Sequence, residues 1–255
     1  MLSCQARRAL ILQTLQHRPE VRVASLAQDL GVSAVTVRGD LWALTMAGLV
    51  ERQRGGARLA RHAPPESSLA DKRALRFERK ARIAIRAAAL VSRADKLILS
   101  AGSTTLMLAR RLAAQAPLTV FTNSLPIASA LSLSPDISLT LAGGNLRQRS
   151  QSMQGSQAEA SLNTGRFDKL FLGADGCDPH YGLSTHDGAE ARLNALMTEH
   201  ARQVILLADS SKFGQLFPHR ICALERVHTI ISDASLAPDI RATLAARGIE
   251  VLIAE

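Results

Sequence analysis

Five short runs of small, polar and charged residues stand out in the chain. They are Ser100-Ala101-Gly102-Ser103-Thr104-Thr105, Thr122-Asn123-Ser124, Gly143-Gly144-Asn145, Gly173-Ala174-Asp175-Gly176 and Asp209-Ser210-Ser211-Lys212. Their chemistry suits a polar anion. The hydroxyls of Ser103, Thr104 and Thr105 and the N–H groups beside Gly102 fit a phosphate if they open a helix, because the first turn of a helix is positive and its N–H groups are unpaired. Lys212 offers a point charge to the same anion. Asn123 and Asp175 carry groups that bond sugar hydroxyls. One such run is usually only a turn or a cap; five together predict a pocket.

For five loops to converge, each must end a strand of one sheet. Seven compact apolar runs precede or accompany them: KLILS (96–100), LTVFT (118–122), ISLTLA (137–142), DKLFLG (168–173), QVILLA (203–208), HTIIS (228–232) and IEVLI (249–253). Helical periodicity falls between them at 78–91, 105–114, 126–133 and 189–201. Continuous apolar strands alternating with helices predict an α/β fold with a mostly parallel sheet covered on both faces. Ligands of such a sheet sit outside the carboxyl ends of its strands.

The first 58 residues follow another grammar. Val23, Leu26, Ala27 and Leu30 keep helical spacing, Gly31 ends that helix, and Ser33 is placed to cap the next. In the second helix Ala34, Val37, Leu41 and Leu44 form the apolar stripe, which leaves Val35, Thr36, Arg38, Gly39 and Trp42 outward. Gly48 stops it, and LVERQRGGARL predicts a two-stranded wing turning at Gly55-Gly56. This is a winged helix-turn-helix, whose second helix enters the major groove. Ser33, Val35, Thr36 and Arg38 are the candidate groove contacts, with Arg52 and Arg54, joined by Arg58, on phosphates. From Met1 to Arg61 nine arginines face four acids, more than half of the chain's formal charge of +9. Such a concentration suits double-stranded DNA.

The domain expectation is a DNA-binding module at 1–58, a linker at 59–76 marked by Pro64-Pro65 and poor periodicity, and an α/β sensor at 77–255. No apolar run is long enough to span a bilayer, so no membrane partner is expected. Cys4, Cys177 and Cys222 are distant and odd in number, which fits a reducing cytoplasm. Histidines and cysteines show no ligand spacing, so no metal is expected. Without a GxGxxG or GxxxxGK[ST] at a strand-to-helix turn, no nucleotide cofactor is expected either.

The order of LAQDLGVSAVTVRGDLWAL, GLVERQRGGA, GSTT, FTNSLPIA, LAGGNLR, FDKLFLGADG, GLST, EARLN and ADSSKFG resembles the DeoR family of sugar-operon regulators from about residue 7 onward. RQRSQSMQGSQAEASL, GLSTHDGAEARLNALM and DSSKF are similar to the regulators of N-acetylgalactosamine and galactosamine use. The resemblance implies a sensor of the phosphosugar-isomerase and CoA-transferase-like type. It also implies a repressor released by a phosphorylated sugar, acting as a homodimer or homotetramer. Carried over residue by residue, Gly102, Ser103, Thr104 and Thr105 hold the phosphate, and Asn123, Asp175 and Lys212 complete the sugar site. Two positions depart from the family pattern: Ser100 stands where an Asp is common, and Gly39 replaces the second residue of RRDL or RNDL.

The rival expectation is a phosphosugar isomerase-like enzyme with a DNA-binding appendage, using Asp175, Asp178 or Glu190 as acid or base. Against it, Gly176 replaces the glutamate of the isomerase Gly-Ala-Asp-Glu segment, and Ser184-Thr185-His186 stands where a lysine run begins. A third expectation makes the second domain an oligomerisation module whose polar strand ends are ordinary turns.

Overall fold

The computed structural model describes residues 2–18, 20–60, 66–114 and 117–255. At the N-terminus α1 (Cys4–His17), β1 (Val21–Arg22), α2 (Val23–Leu30), α3 (Ala34–Met46), β2 (Val50–Gln53) and β3 (Gly56–Leu59) form the reading head. Gly31 sits at φ 62° as the C-cap of α2, a left-handed turn that glycine enters without strain. Ser33 then caps α3, its Oγ accepting from the Thr36 N–H. Ile11, Leu12 and Leu15 of α1 close over Leu26, Val37, Leu41, Leu44 and Val50.

Three expectations for the head change. Asp40, rather than Ala34, completes the buried stripe of α3, because Arg7 Nε at 2.7 Å and Arg8 Nε at 3.1 Å neutralise its carboxylate and pin α1 to α3. The wing turns at Arg54-Gly55, since Gln53 pairs with Gly56. It also has three strands, β1-β3-β2, with Arg22 paired to Gly56. Gly56 serves that third strand: a Cβ there would lie 2.1 Å from the Val21 carbonyl oxygen.

The second domain holds α4 (Leu69–Ala74), α5 (Phe77–Ala88), β4 (Lys96–Leu99), α6 (Ser103–Leu112), β5 (Leu118–Thr122), α7 (Leu125–Leu131) and β6 (Ile137–Leu141). The hairpin β7 (Asn145–Arg147) and β8 (Ser152–Gln154) leads to α8 (Ser156–Ala160), β9 (Phe167–Leu172), β10 (Gly176–Asp178) and β11 (Gly182–Thr185). Then come α9 (Gly188–His200), β12 (Ala201–Leu207), β13 (His219–Cys222), β14 (Thr229–Asp233), α10 (Pro238–Ala245) and β15 (Glu250–Ala254).

Seven strands form one parallel sheet in the order β15-β14-β12-β9-β4-β5-β6. All seven match the apolar runs of the sequence. Successive residues feed opposite cores: Leu97 and Leu99 face one layer and Ile98 the other, as Phe171 opposes Leu170 and Leu172. A strand buried on both faces has no polar alternation, hence the unbroken apolar runs. The chain runs outward in one direction from β4 through β6 and in the other from β9 through β15. The order therefore reverses between β4 and β9, the place where loops splay apart and leave a crevice.

The stretch expected as a linker contains a helix. Pro64-Pro65 fall outside the described residues, but Ser68 and Asp71 form a reciprocal capping box that starts α4. Arg147 of β7 grips Glu66, Arg149 binds the Glu66 carbonyl, and the Leu69 N–H donates to the Arg149 carbonyl at 2.9 Å. α4 is thus strapped over the sheet's crevice.

Candidate functional site

The crevice between β4 and β9 opens into a cleft lined by Gly102, Ser103 and Thr104 at the start of α6, Gly173 to Asp175 after β9, and Ala208, Asp209 and Lys212 after β12. The predicted Gly102, Ser103, Thr104, Asp175 and Lys212 meet here. Thr105 does not face the cleft: it is fully buried and its hydroxyl donates to the Gly102 carbonyl at 3.0 Å. Asn123 is also withdrawn. Its Oδ1 accepts from the Ala101 N–H at 2.9 Å and its Nδ2 donates to the Met153 carbonyl at 3.4 Å, so it braces the loop instead of offering free groups. Ser100, at the departure from the family pattern, is buried and accepts from the Gly173 N–H at 3.0 Å, stitching the two loops of the crevice together.

Two lining residues escaped the sequence reading, Lys72 from α4 and Lys80 from α5; Glu190 from α9, expected only as a catalytic carboxylate, lines the cleft with them. Lys72 reaches across the cleft to Asp175 Oδ1 at 2.8 Å, while Lys212 stands 3.9 Å from the same oxygen. On Oδ2, Asp175 takes the Thr185 hydroxyl at 3.0 Å and faces His186 Nδ1 at 2.8 Å. Burial opposes the charge on Asp175, but the His186 hydrogen bond and the Lys72 ammonium outweigh it and hold the carboxyl far below the usual range. Lys72 is raised in turn, Asp175 overcoming the burial that pulls it down. Burial pushes Lys80 down to about 8, with Asp209 opposing and Lys212 assisting. Its Nζ donates to the Lys72 and Leu75 carbonyls at the end of α4, a cation on a helix C-terminus. Burial, reinforced by Asp175, pushes Glu190 up to about 7, with Lys72 working against it.

The arrangement places positive and negative groups together in the lining of one cleft. The α6 N-terminus and three lysines oppose an anion, and Asp175 and Glu190 oppose hydroxyls or an amine. Glu66, Asp175 and His186 present ligand atoms within 4.8 Å of one another, but Arg147 and Lys72 already meet their charge. Of the other carboxylates considered as catalytic, Asp178 is fully buried and takes the His180 and Tyr181 N–H groups at 2.8 and 2.9 Å, so it shapes a turn. His186 packs on Phe217, ring centres 4.2 Å apart, which fixes it against Asp175.

In the head, Val35 is 73% exposed, and Ser33, Arg38, Arg52 and Arg54 are exposed with it. Thr36 is half-buried, its hydroxyl 2.9 Å from that of Ser33. Arg38 on α3 and Arg52 on β2 line one groove between helix and wing, and Arg54 stands at the wing tip. Arg58 is engaged instead with Glu51, at 2.6 and 2.8 Å. Trp42 and Met46, on the same face as Val35, are also exposed.

A basic helix-wing groove joined to a parallel sheet with a lysine-lined crevice defines a DNA-binding regulator with its own sensor domain. The comparisons agree. Residues 7–63 match the DeoR-like helix-turn-helix domain and residues 76–234 the DeoR C-terminal sensor domain; the chain belongs to the DeoR family of transcriptional regulators. A protein of Escherichia coli O157:H7 named "Putative aga operon transcriptional repressor" is 39% identical over 97% of this chain and 93% of its own length. The transcriptional regulator GlpR of Haloferax volcanii is 35% identical over 90% of each. The lactose phosphotransferase system repressor of Lactococcus lactis is 32% identical over 89% of this chain and 90% of its own. Among solved structures, a D-ribose-5-phosphate isomerase in complex with phospho-erythronic acid aligns with 54% of each chain at a TM-score of 0.41 and 19% identity. Among the described residues no helix is long and apolar enough to cross a membrane.

Proposed function

We propose that the chain represses a carbohydrate-utilisation operon in the cytoplasm and leaves its operator when a phosphorylated amino sugar enters the cleft. The observation that carries this is the meeting of the α6 N-terminus with Lys72, Lys80 and Lys212 at the reversal of strand order, in a chain whose other end is a basic helix-wing groove. Gly102, Ser103, Thr104 and Lys212 hold the phosphate, Asp175 and Glu190 hold the sugar, and Thr105 and Asn123 set the loop. Ser33, Val35, Thr36 and Arg38 read the groove while Arg52 and Arg54 hold phosphates. Residues 1–58 act as head and 77–255 as sensor, with 59–76 serving both as tether and, through Lys72, as a wall of the cleft. The aga name of a relative and the resemblance of residues 147–162 favour an amino sugar. Pairs of heads on repeated half-sites require a dimer or tetramer.

Calorimetry with N-acetylgalactosamine 6-phosphate and with the free sugar tests the sensor: binding of the first alone is expected, and equal indifference to both refutes it. A second reading, isomerase-like turnover, is favoured by the place of the Glu190 carboxyl in the cleft lining, where burial pushes it up to about 7. Against it, Asp175 is tied to Lys72 and His186. Carbon NMR of the same sugar phosphate incubated with the protein decides: an unchanged spectrum is expected, and a new isomer supports the enzyme.

A further inference from the structure

One side chain of the sensor domain sits inside the reading head. Tyr181, at the tip of the β10–β11 hairpin, is 1% exposed and belongs to the same apolar cluster as Leu12, Leu15 and Leu44. Gln16 of α1 donates to its hydroxyl at 2.6 Å and to the Pro218 carbonyl at 2.9 Å, and the tyrosine donates to that carbonyl at 3.2 Å. The base of the same hairpin is the cleft: Asp175 precedes β10 directly, Thr185 ends β11 and His186 follows it, both side chains on the Asp175 carboxylate.

The hairpin is paired along its whole length between those ends. Gly176 pairs with Ser184, Cys177 with Leu183 and Asp178 with Gly182, and β11 pairs in turn with β13. Its glycines lie hard against neighbours; a Cβ on Gly176 would meet the Gln215 carbonyl oxygen at 2.4 Å, and one on Gly182 the Cys222 carbonyl oxygen at 2.1 Å. Asp178 fixes the tip by accepting the Tyr181 N–H. An element held this closely shifts as a unit, about 10 Å of strand leading from Asp175 to the tip. Asp175 is also where the inter-domain segment ends, through Lys72.

Resting on the reading of the cleft as the effector site, we propose that Tyr181 is a positioning residue of the reading head. Through it, the partners of the Asp175 carboxylate set the angle of α1 and hence of α3. A guest that rearranges the groups around Asp175 tilts the hairpin, and the tyrosine ring carries that tilt into the head core. The head is then held in two arrangements that differ in DNA affinity.

A double-mutant cycle tests this without any sugar, using the duplex that the full-length protein itself selects from a random pool, with anisotropy as readout. Asp175→Asn is expected to change duplex affinity at least about fivefold in the wild-type background, the low end of ordinary allosteric coupling. In Tyr181→Ala that factor is expected to fall to near one, and in Tyr181→Phe, which keeps the ring, most of it is expected to return. A purely structural anchor would weaken DNA binding without altering the Asp175→Asn factor. The same factor in the Tyr181→Ala and wild-type backgrounds, or no effect of Asp175→Asn in the wild type, overturns the proposal. Should Tyr181→Ala fail to fold, Gln16→Ala takes its place with the same criterion, a reduced factor supporting the proposal and an unchanged one overturning it. Because no sugar enters the cycle, failure of N-acetylgalactosamine 6-phosphate to bind would sink the effector reading and leave this result standing.

Discussion

Glu190→Gln isolates the electrostatics of the cleft. Between about pH 4.5 and pH 7 the folded protein holds a proton on Glu190 that the unfolded chain has released. The Glu190 contribution to stability therefore declines as pH rises through that window and is level again above about pH 8. The displacement from the usual 4.5 to about 7, at about 1.4 kcal/mol per unit, corresponds to about 3 kcal/mol withheld from the folded state at pH 8. Glu190 is only half-buried and shares its repulsion with Asp175 and Glu66, so about 2 kcal/mol is the working figure. Glutamine can keep the 3.2 Å contact with the Thr185 hydroxyl, whose proton goes to Asp175, by donating an amide N–H to it, and carries no titration. Calorimetric melting from pH 5 to pH 8.5 should show the variant gaining on the wild type as pH rises, reaching about 4–8 °C at the upper end for a protein of this size. A difference in melting temperature that stays constant over the whole range would refute the reasoning.

The other outcomes concern the groove, the phosphate end and the wing. Arg54→Ala should weaken binding to all duplexes alike and reduce the slope of log affinity against log salt by about one, in anisotropy titrations between 50 and 200 mM salt; an unchanged slope removes Arg54 from the phosphates. Thr104→Val with Lys212→Ala should lower affinity for N-acetylgalactosamine 6-phosphate by at least about tenfold, since one charge-assisted hydrogen bond is worth about 1.5–3 kcal/mol. Normal calorimetric affinity in that variant places the phosphate elsewhere. Gly56→Ala should detach β1 from the wing, because its Cβ has no room beside the Val21 carbonyl. Amide exchange of Val23, which donates to the Gly55 carbonyl at 2.9 Å, should accelerate by at least about tenfold, and unaltered exchange contradicts the strain.

The seven strands of the parallel sheet were legible because burial on both faces writes them as unbroken apolar runs. α2 and α3 were legible through the Gly31 stop and the Ser33 cap. The β10–β11 hairpin and the β7–β8 hairpin were not, since strands of three or four residues (Asn-Leu-Arg, Ser-Met-Gln, Gly-Cys-Asp and Gly-Leu-Ser-Thr) are too short to show alternation or an apolar run. α4 hid in a charged stretch beside Pro64-Pro65, although Ser68-Leu69-Ala70-Asp71 spells a capping box that could have exposed it. With α4 unseen, Lys72 had no reason to be placed over Asp175, more than a hundred residues away. Thr105 and Asn123 were grouped with the cleft because sequence places a residue near a loop but does not say which way it turns. Asp40 is the instructive exception to apolar periodicity: its burial depends on Arg7 and Arg8, contributed by a different helix.

Operator release measured directly against effector phosphorylation bears hardest on the whole account. With the self-selected duplex bound, N-acetylgalactosamine 6-phosphate added to the full-length protein should lower anisotropy at concentrations where unphosphorylated N-acetylgalactosamine does nothing, and should leave the Thr104→Val, Lys212→Ala protein on its DNA. Equal release by both sugars, or undiminished release of the double variant, would contradict a sensor that reads a phosphate at the α6 N-terminus.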